Sequence, residues 1–323
     1  MGTVVGRFAP SPSGRMHLGN LFSSLLAWLS ARSAGGRVVL RIEDLDAQRC
    51  TRDYAAQVEA DYRTLGLYWD EGGSVGGPNG PYFQSERGGR YAAALETLKS
   101  RGLVYPCFCT RAQLHAASAP HREDGQTVYS GACCKLTAGE IAEKAAVRPP
   151  ALRLRVPDRE IRFTDGNLGS CAENLERDCG DFLLRRSDGL WAYQLAVVVD
   201  DGAMEVTQVV RGSDLLSSTP RQLYLYELLG LTPPEFFHVP LLLAPDGRRL
   251  SKRDGDLSLA ALLTEHSPEA VVGALARLAG LNPSGEPRTP ESLLGDFNWG
   301  KVPKTDIFVP ENLFSGHCGG QSV

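Results

Sequence analysis

The sequence predicts an α/β protein: a parallel sheet of nucleotide-binding type, split by an insertion and followed by a smaller helical region. Three observations lead there. Strand and helix patterns alternate over the first third of the chain, a cysteine-bearing irregular stretch interrupts them, and buried strand patterns then return at "YQLAVVVDD" and "VTQVVRG". Alternation of strands and helices is the mark of parallel sheets joined by crossover helices.

Val4 to Phe8 reads as the first strand and Leu18 to Arg32 as a helix whose apolar residues are too dense for a surface element, closed by "AGG". "RVVLRIEDLD", Arg37 to Asp46, reads as a second strand with Val38, Val39, Leu40 and Ile42 buried. Tyr54, Val58, Tyr62 and Leu65 follow helical spacing, with Gly66 as the stop. A further helix ends near Gly102. "YPCFC" then opens the irregular stretch, in which "ALRLRV" and "EIRFTD" alternate with period two like the arms of an antiparallel hairpin. After the two returning strands, Thr219, Pro220 and Gln222 supply cap, first-turn proline and capping-box partner for another helix. From Pro240 come the loop "PDGRRLSKRDG" and helices, one of them opened by Ser267 and Pro268; "NPSGEPRTP" at 282–290 reads as a linker and "GHCGGQSV" as a frayed end. The expected domains are 1–102 and 181–239 as the two halves of the domain that carries the split sheet, 103–180 as the insertion, 240–300 as the helical domain and 301–323 as a tail.

A chain of 323 residues is long enough to bury a sizeable core. Its 42% hydrophobic and 22% charged residues are those of a soluble protein, no apolar run reaches the roughly 20 residues of a membrane span, and "MGTVVGRF" lacks the form of a secretory signal. A cytoplasmic protein is expected, with no membrane partner. The net charge of −4 argues against a protein that coats nucleic acid nonspecifically, but not against a local basic face.

The chemistry concentrates in three places. "RFAPSPSGRMHLGN", Arg7 to Asn20, links a buried strand to a helix start, where backbone N–H groups and the positive end of the helix dipole favour an anion. Neither GxGxxG nor GxxxxGK[ST] occurs, so a different nucleotide grip is required. "RRLSKRDG", Arg248 to Gly255, carries four cations; Lys252 crossing to a triphosphate would neutralise charge developing on a leaving pyrophosphate. Cys107-x-Cys109 with Cys133 offers three thiolates of a tetrahedral zinc site, with His121 or Cys134 as the fourth ligand on chemistry alone. Cys50, Cys171, Cys179 and Cys318 have no such spacing. Arg148, Arg153, Arg155, Arg159 and Arg162 crowd the insertion, which fits either phosphate contact or a solvated strand face.

"HLGN" and "LSKR" resemble the HIGH and KMSKS signatures of class I aminoacyl-tRNA synthetases, and "LRIEDLD", "YFQSER", "VVRGSDLLSSTPRQ" and "SKRDG" look like the glutamate branch. The resemblance runs from about residue 4 to residue 280. Two departures stand out: Asn20 replaces the second histidine of HIGH, and Ala9-Pro10-Ser11-Pro12 stands where the glutamine branch carries Pro-Pro-Glu-Pro. Because few residues follow Gly280, the length matches the short paralogues that transfer glutamate to queuosine in the anticodon loop of tRNA(Asp) and carry no anticodon-binding domain. The resemblance implies the class I fold, a split Rossmann-like parallel sheet with a zinc-bearing insertion and a small helical C-terminal domain.

The same resemblance implies site roles. Arg7, Phe8, Ala9, Pro10, Ser11, Glu43, Tyr193 and Arg211 match the glutamate-binding positions. Two carboxylates and one ammonium call for two cations and one anion, which Arg7, Arg211 and Glu43 supply. His17, Gly19, Asn20, Ser251 and Lys252 match the ATP-binding positions, with His17, Asn20 and Lys252 catalytic and Mg²⁺ accompanying ATP. "YSGAC" matches the family's zinc element and names Tyr129 as the fourth ligand beside Cys107, Cys109 and Cys133 of one structural zinc. Two rival readings are a truncated enzyme charging tRNA(Glu) at its 3′ end and a zinc-bearing RNA-binding module without catalysis.

Overall fold

The computed structural model describes residues 3–116, 128–248, 250, 258–310 and 313–314. The chain begins with β1 (Val5–Phe8), α1 (Leu18–Ser33), β2 (Arg37–Leu40), α2 (Arg52–Thr64) and β3 (Glu71–Gly72), and the three strands form one parallel sheet in the order β1-β2-β3. Crossover helices are what parallel pairing requires, because a tight turn cannot return the chain in the same direction. The second expected strand is shorter than "RVVLRIEDLD": Ile42 keeps only an isolated bridge to Phe83, and the backbone then turns into the cleft.

α1 is buried almost all round, Leu18, Leu21, Leu25, Leu26 and Leu29 being fully inaccessible between the strands and a later helix. That is the arrangement an all-apolar helix demands. Leu25→Ala removes several methyl and methylene groups from this core and is expected to lower the unfolding free energy by about 2–5 kcal/mol, measured by urea denaturation.

α3 (Gly88–Ser100) leads to β4 (Val104–Cys107), α4 (Arg111–Ala116) and α5 (Ala138–Val147). Then come β5 (Ala151–Leu154), β6 (Glu160–Asp165), β7 (Gly169–Asn174) and β8 (Phe182–Arg185). Here the structure corrects the expected hairpin. β5 pairs with β4 and β8, while β6 pairs with β7, so "ALRLRV" and "EIRFTD" belong to different sheets. Period two sets which face a residue takes, not which strand it joins.

A second correction follows: "YQLAVVVDD" is not a strand but the start of α6 (Tyr193–Ala203). Leu195 to Val199 are buried on every side by α3, α7 (Thr219–Leu229) and β8, and a helix buried all round hides its period. β9 (Gln208–Gly212) and β10 (Glu235–Val239) pair in parallel, and the N–H of Thr207 donates to Val5 O at 3.0 Å, setting β9 beside β1.

β11 (Leu242–Leu243), α8 (Leu259–Leu262) and α9 (Pro268–Leu278) follow, α9 capped by Ser267 as expected. The expected linker and residues 301–310 of the expected tail are packed structure, while "GHCGGQSV" lies outside the described residues. Asn282 is buried and donates to Gly273 O and Glu286 O, and β12 (Ile307–Phe308) returns to pair in parallel with β11. Val302, Val309 and Leu313 join the same apolar cluster as α1, α8 and α9. No helix among the described residues is long and apolar enough to cross a membrane.

Candidate active site

The carboxyl ends of β1, β2, β9 and β10 open on a cleft of about 580 Å³, the place where ligands of open parallel sheets bind. Its walls bring together every described residue expected to contact glutamate or ATP: Arg7 to Ser11, His17, Gly19, Asn20, Glu43, Tyr193 and Arg211. The sequence places these residues on five separate segments.

Arg7 lies near the carboxyl end of β1 and is 5% exposed; its Nη1 donates to Val210 O (3.2 Å), tying β1 to β9, and its Nε lies 3.6 Å from Asp201 Oδ1. Glu43 is fixed from both sides, its N–H donating to Pro10 O (2.9 Å) and its Oε1 accepting from Arg41 Nη2 (3.1 Å). Burial pushes the Glu43 carboxyl above the usual carboxylate range, against the pull of Arg41 and Arg7. Arg41 is itself fully buried and donates to Asp201 (2.6 Å). Asp200, also fully buried, accepts from Arg87, from Gln84 (2.9 Å) and from Tyr91 (2.7 Å). Buried charges survive only when paired. This ion network is a functional support that sequence reasoning missed; its signal was the pair of adjacent aspartates closing an apolar run in "VVVDDG".

Arg211, at the end of β9, is held on several sides. Nε donates to His238 Nε2 (3.0 Å), Nη1 to Gln222 Oε1 (2.8 Å) and Tyr193 OH (3.4 Å), and Nη2 to Thr219 Oγ1 (2.9 Å). The expected capping roles of Thr219 and Gln222 are thereby corrected. α7 starts where predicted, with its proline in the first turn, but both side chains serve the guanidinium and the N-cap is Ser218 without a side-chain cap bond. His238 and its carboxylate partner Asp165 (2.6 Å) were also missed.

At the other end of the cleft His17 is the N-cap of α1, and its N–H donates to Asn20 Oδ1 (3.4 Å). An amide in place of imidazole thus keeps the first turn closed while leaving helix N–H groups toward the cleft. Gly19 fits because a Cβ there would come within 3.3 Å of the His17 ring. Ser251 and Lys252 lie outside the described residues. Both flanks of their loop reach the site, however: Leu250 lines the cleft, and Ser258 forms a bridge with His17 while the N–H of Leu259 donates to Met16 O (3.1 Å).

Some distance along the chain, Cys107, Cys109 and Cys133 bring their sulfurs within 4.8 Å of one another. Cys109 and Cys133 are 3.6 Å apart, close to the ~3.8 Å edge of a tetrahedron built on ~2.3 Å zinc–sulfur bonds. Tyr129 Oη lies 3.4 Å from Cys107 Sγ and 3.6 Å from Cys109 Sγ, so the donor set is three thiols and a phenol. Cys134 is not part of this group among the described residues, and His121 lies outside them, as does Cys318.

The nearby arginines are engaged within the protein. Arg153 sits 3.8 Å above the Tyr129 ring and donates to Asp181 O; Arg148 and Arg155 donate to the carbonyls of Cys109 and Cys134. Arg159 is bidentate to Glu227, and Arg162 pairs with Glu160.

Comparison with known proteins bears on this site. The family model described as the catalytic domain of class I (E and Q) tRNA synthetases matches residues 3–289. A Glutamyl-Q tRNA(Asp) synthetase of Nitratidesulfovibrio vulgaris is 51% identical over 96% of this chain and 97% of its own length. One of Symbiobacterium thermophilum is 51% identical over 98% of this chain and 99% of its own. Among solved structures, a glutamate tRNA ligase from Elizabethkingia meningosepticum in complex with its amino acid aligns with a TM-score of 0.83 and 30% identity, covering 97% of this chain and 68% of that one. The chain therefore belongs to the glutamyl-Q tRNA(Asp) synthetase family of class I tRNA synthetases and is a ligase of the aminoacyl-tRNA synthetase type.

Proposed function

We propose that this chain activates L-glutamate with ATP in the absence of tRNA and transfers the glutamyl group to the cyclopentenediol of queuosine in the anticodon loop of tRNA(Asp). The observation that carries the reading is the convergence of Arg7, Glu43, Tyr193 and Arg211 on one cleft with the His17–Asn20 helix start. Arg7 and Arg211 would take the two carboxylates of glutamate, Glu43 its ammonium, and Tyr193 would add a hydroxyl. Phe8, Ala9, Pro10 and Ser11 would shape the floor. A glutamate carboxylate oxygen attacks the α-phosphorus of ATP, and the bond to pyrophosphate breaks; positioning and charge neutralisation suffice, with no covalent enzyme intermediate. His17, Gly19, Asn20, Ser251 and Lys252 would hold the nucleotide, Lys252 opposing charge on the departing pyrophosphate, with Mg²⁺ accompanying ATP. A hydroxyl of the RNA then attacks the adenylate carbonyl and AMP leaves.

In this reading β1–β3 and β9–β10 are halves of one split Rossmann-like domain, and residues 103–180 are its insertion. The donor set of Cys107, Cys109, Tyr129 and Cys133 fits one structural zinc, all four positions being filled by protein. Arg153 over the Tyr129 ring offsets part of the negative charge such a ligand set carries. The queuosine acceptor is supported by the names of the relatives matched over almost their entire length.

Labelled glutamate, offered to tRNA(Asp) with and without queuosine, tests the acceptor. Periodate cleaves both the 3′ diol and the cyclopentenediol, so oxidised RNA whose 3′ nucleotide has been restored should accept no glutamate. Labelling of such RNA, or of tRNA(Asp) lacking queuosine, would favour a truncated enzyme charging tRNA(Glu).

A further inference from the structure

We infer that His238 is a positioning residue for Arg211, locked by Asp165 in the one tautomer that lets Arg211 present itself to an acidic substrate side chain. The inference rests on reading Arg211 as a contact of the glutamate carboxylate. No chemical motif of the sequence contains His238 or Asp165, which closes the strand pattern "EIRFTD", and neither lines the cleft.

His238 lies on β10 and is fully buried, with Nδ1 2.6 Å from Asp165 Oδ2 and Nε2 3.0 Å from Arg211 Nε. A guanidinium nitrogen can only donate, so Nε2 must accept. The ring proton is then on Nδ1, where it donates to Asp165. Either alternative, the Nε2–H tautomer or the imidazolium, would aim an N–H at the N–H of Arg211. Burial and the charge of Arg211 both push the imidazole toward its neutral form, against Asp165.

Asp165 is itself fixed. It is 1% exposed and accepts from the backbone N–H groups of Asn167 (3.0 Å), Leu168 (2.9 Å) and His238 (3.1 Å). Despite its burial, the bond from the His238 ring, with the backbone N–H groups of Leu168 and His238, holds it as a carboxylate below the usual range. The turn that carries it is pressed onto β10: a Cβ on Gly166 would lie 1.9 Å from the Phe237 ring, and Asn167 Nδ2 donates to His238 O (3.0 Å). The β6–β7 hairpin, some 70 residues before β10, therefore reaches the substrate pocket through one carboxylate and one imidazole. Relayed contacts of this form fix both tautomer and orientation of a group they never replace.

The test is glutamate-dependent pyrophosphate–ATP exchange by the full chain and two variants, with the tautomer of His238 read separately. In His238→Asn the amide reaches Asp165 but not Arg211. The KM for glutamate should rise about tenfold or more and discrimination against glutamine should fall, while the KM for ATP stays within about twofold. In His238→Gln the side-chain oxygen falls near the position of Nε2, and most of the loss should be recovered. Long-range ¹⁵N–¹H NMR of the unaltered protein, with His238 assigned from the Gln variant, should show Nδ1 protonated and Nε2 bare. An Nε2–H tautomer, or a KM for glutamate unchanged in His238→Asn, overturns the inference while the proposed function stands. Equal losses in both variants, with the KM for ATP rising in parallel, would make His238 a packing residue only. A parent chain with no glutamate-dependent exchange overturns the proposed function and this inference with it.

Discussion

Arg211→Leu is expected to lower kcat/KM for glutamate in pyrophosphate exchange by about 10²- to 10³-fold while leaving ATP binding near its parental value. The magnitude, about 3–4 kcal/mol, lies within the cost of removing one partner from a buried, hydrogen-bonded charge pair. Arg211 is only 5% exposed and donates to His238, Gln222, Tyr193 and Thr219, so its loss also takes the guanidinium donor from the buried Gln222 Oε1. Arg211→Lys should recover little, because an ammonium on a flexible stem cannot reproduce a planar fork with donors in three directions. Glutamine should be a poor substrate of the parent chain for the same reason: a neutral amide leaves a cation unsatisfied, and sites built for a polar partner reject the analogue lacking it strongly. Thermal melting of each variant separates a lost contact from a lost fold. A loss below tenfold for Arg211→Leu in a folded chain would remove Arg211 from the substrate contacts.

How far this site was legible depends on how local its parts are. Glu43 could be placed because it follows a short buried strand pattern, and the ends of parallel strands are where ligands sit, while Arg7, inside the first strand, was placed by the family resemblance and the charge balance of glutamate. His17 and Asn20 could be placed because helix starts carry their own signature. The supports were hidden by separation in sequence. Arg41 meets Asp201 across 160 positions, and His238 meets Asp165 across 73, through a hairpin whose partner no period-two pattern identifies. Thr219 and Gln222 were misread for a physical reason. Short polar side chains at a helix start can satisfy either the helix or a neighbour, and a buried guanidinium left without acceptors costs more than a helix start without a side-chain cap. α6 was misread because burial on all sides removes the polar stripe that reports a helix; the same buried surround makes its two terminal aspartates the anchors of the ion network.

The cysteine cluster carries the other large effect. Cys109→Ser is expected to cost the chain its zinc, which should otherwise be present at about one ion per molecule in protein purified without chelator. Among the described residues the cysteine-bearing part of the insertion has little else to hold it. Its buried apolar cluster consists of Tyr105, Cys107, Tyr129 and Cys133, and α5 has no buried residue at all, whereas Leu154, Val156, Leu175 and Cys179 of the insertion belong to the larger cluster around α6. Ordering a segment of that size costs about 1–2 kcal/mol per residue in backbone entropy alone, which so small a core cannot offset. Zinc binding of about 10–16 kcal/mol, as in small metal-stabilised domains, offsets a cost of that order, and replacing a thiolate by a hydroxyl withdraws much of it. The two large clusters around α1 and α6 are built from other residues, so the cleft should keep its fold. Disorder should therefore stay local: proteolysis should open in residues 128–150 of the zinc-free chain while the sheet core resists, and metal content by elemental analysis should fall together with that protection. Protein stripped of zinc that keeps both its melting temperature and its protease resistance across this segment would make the three cysteines an ordinary buried cluster.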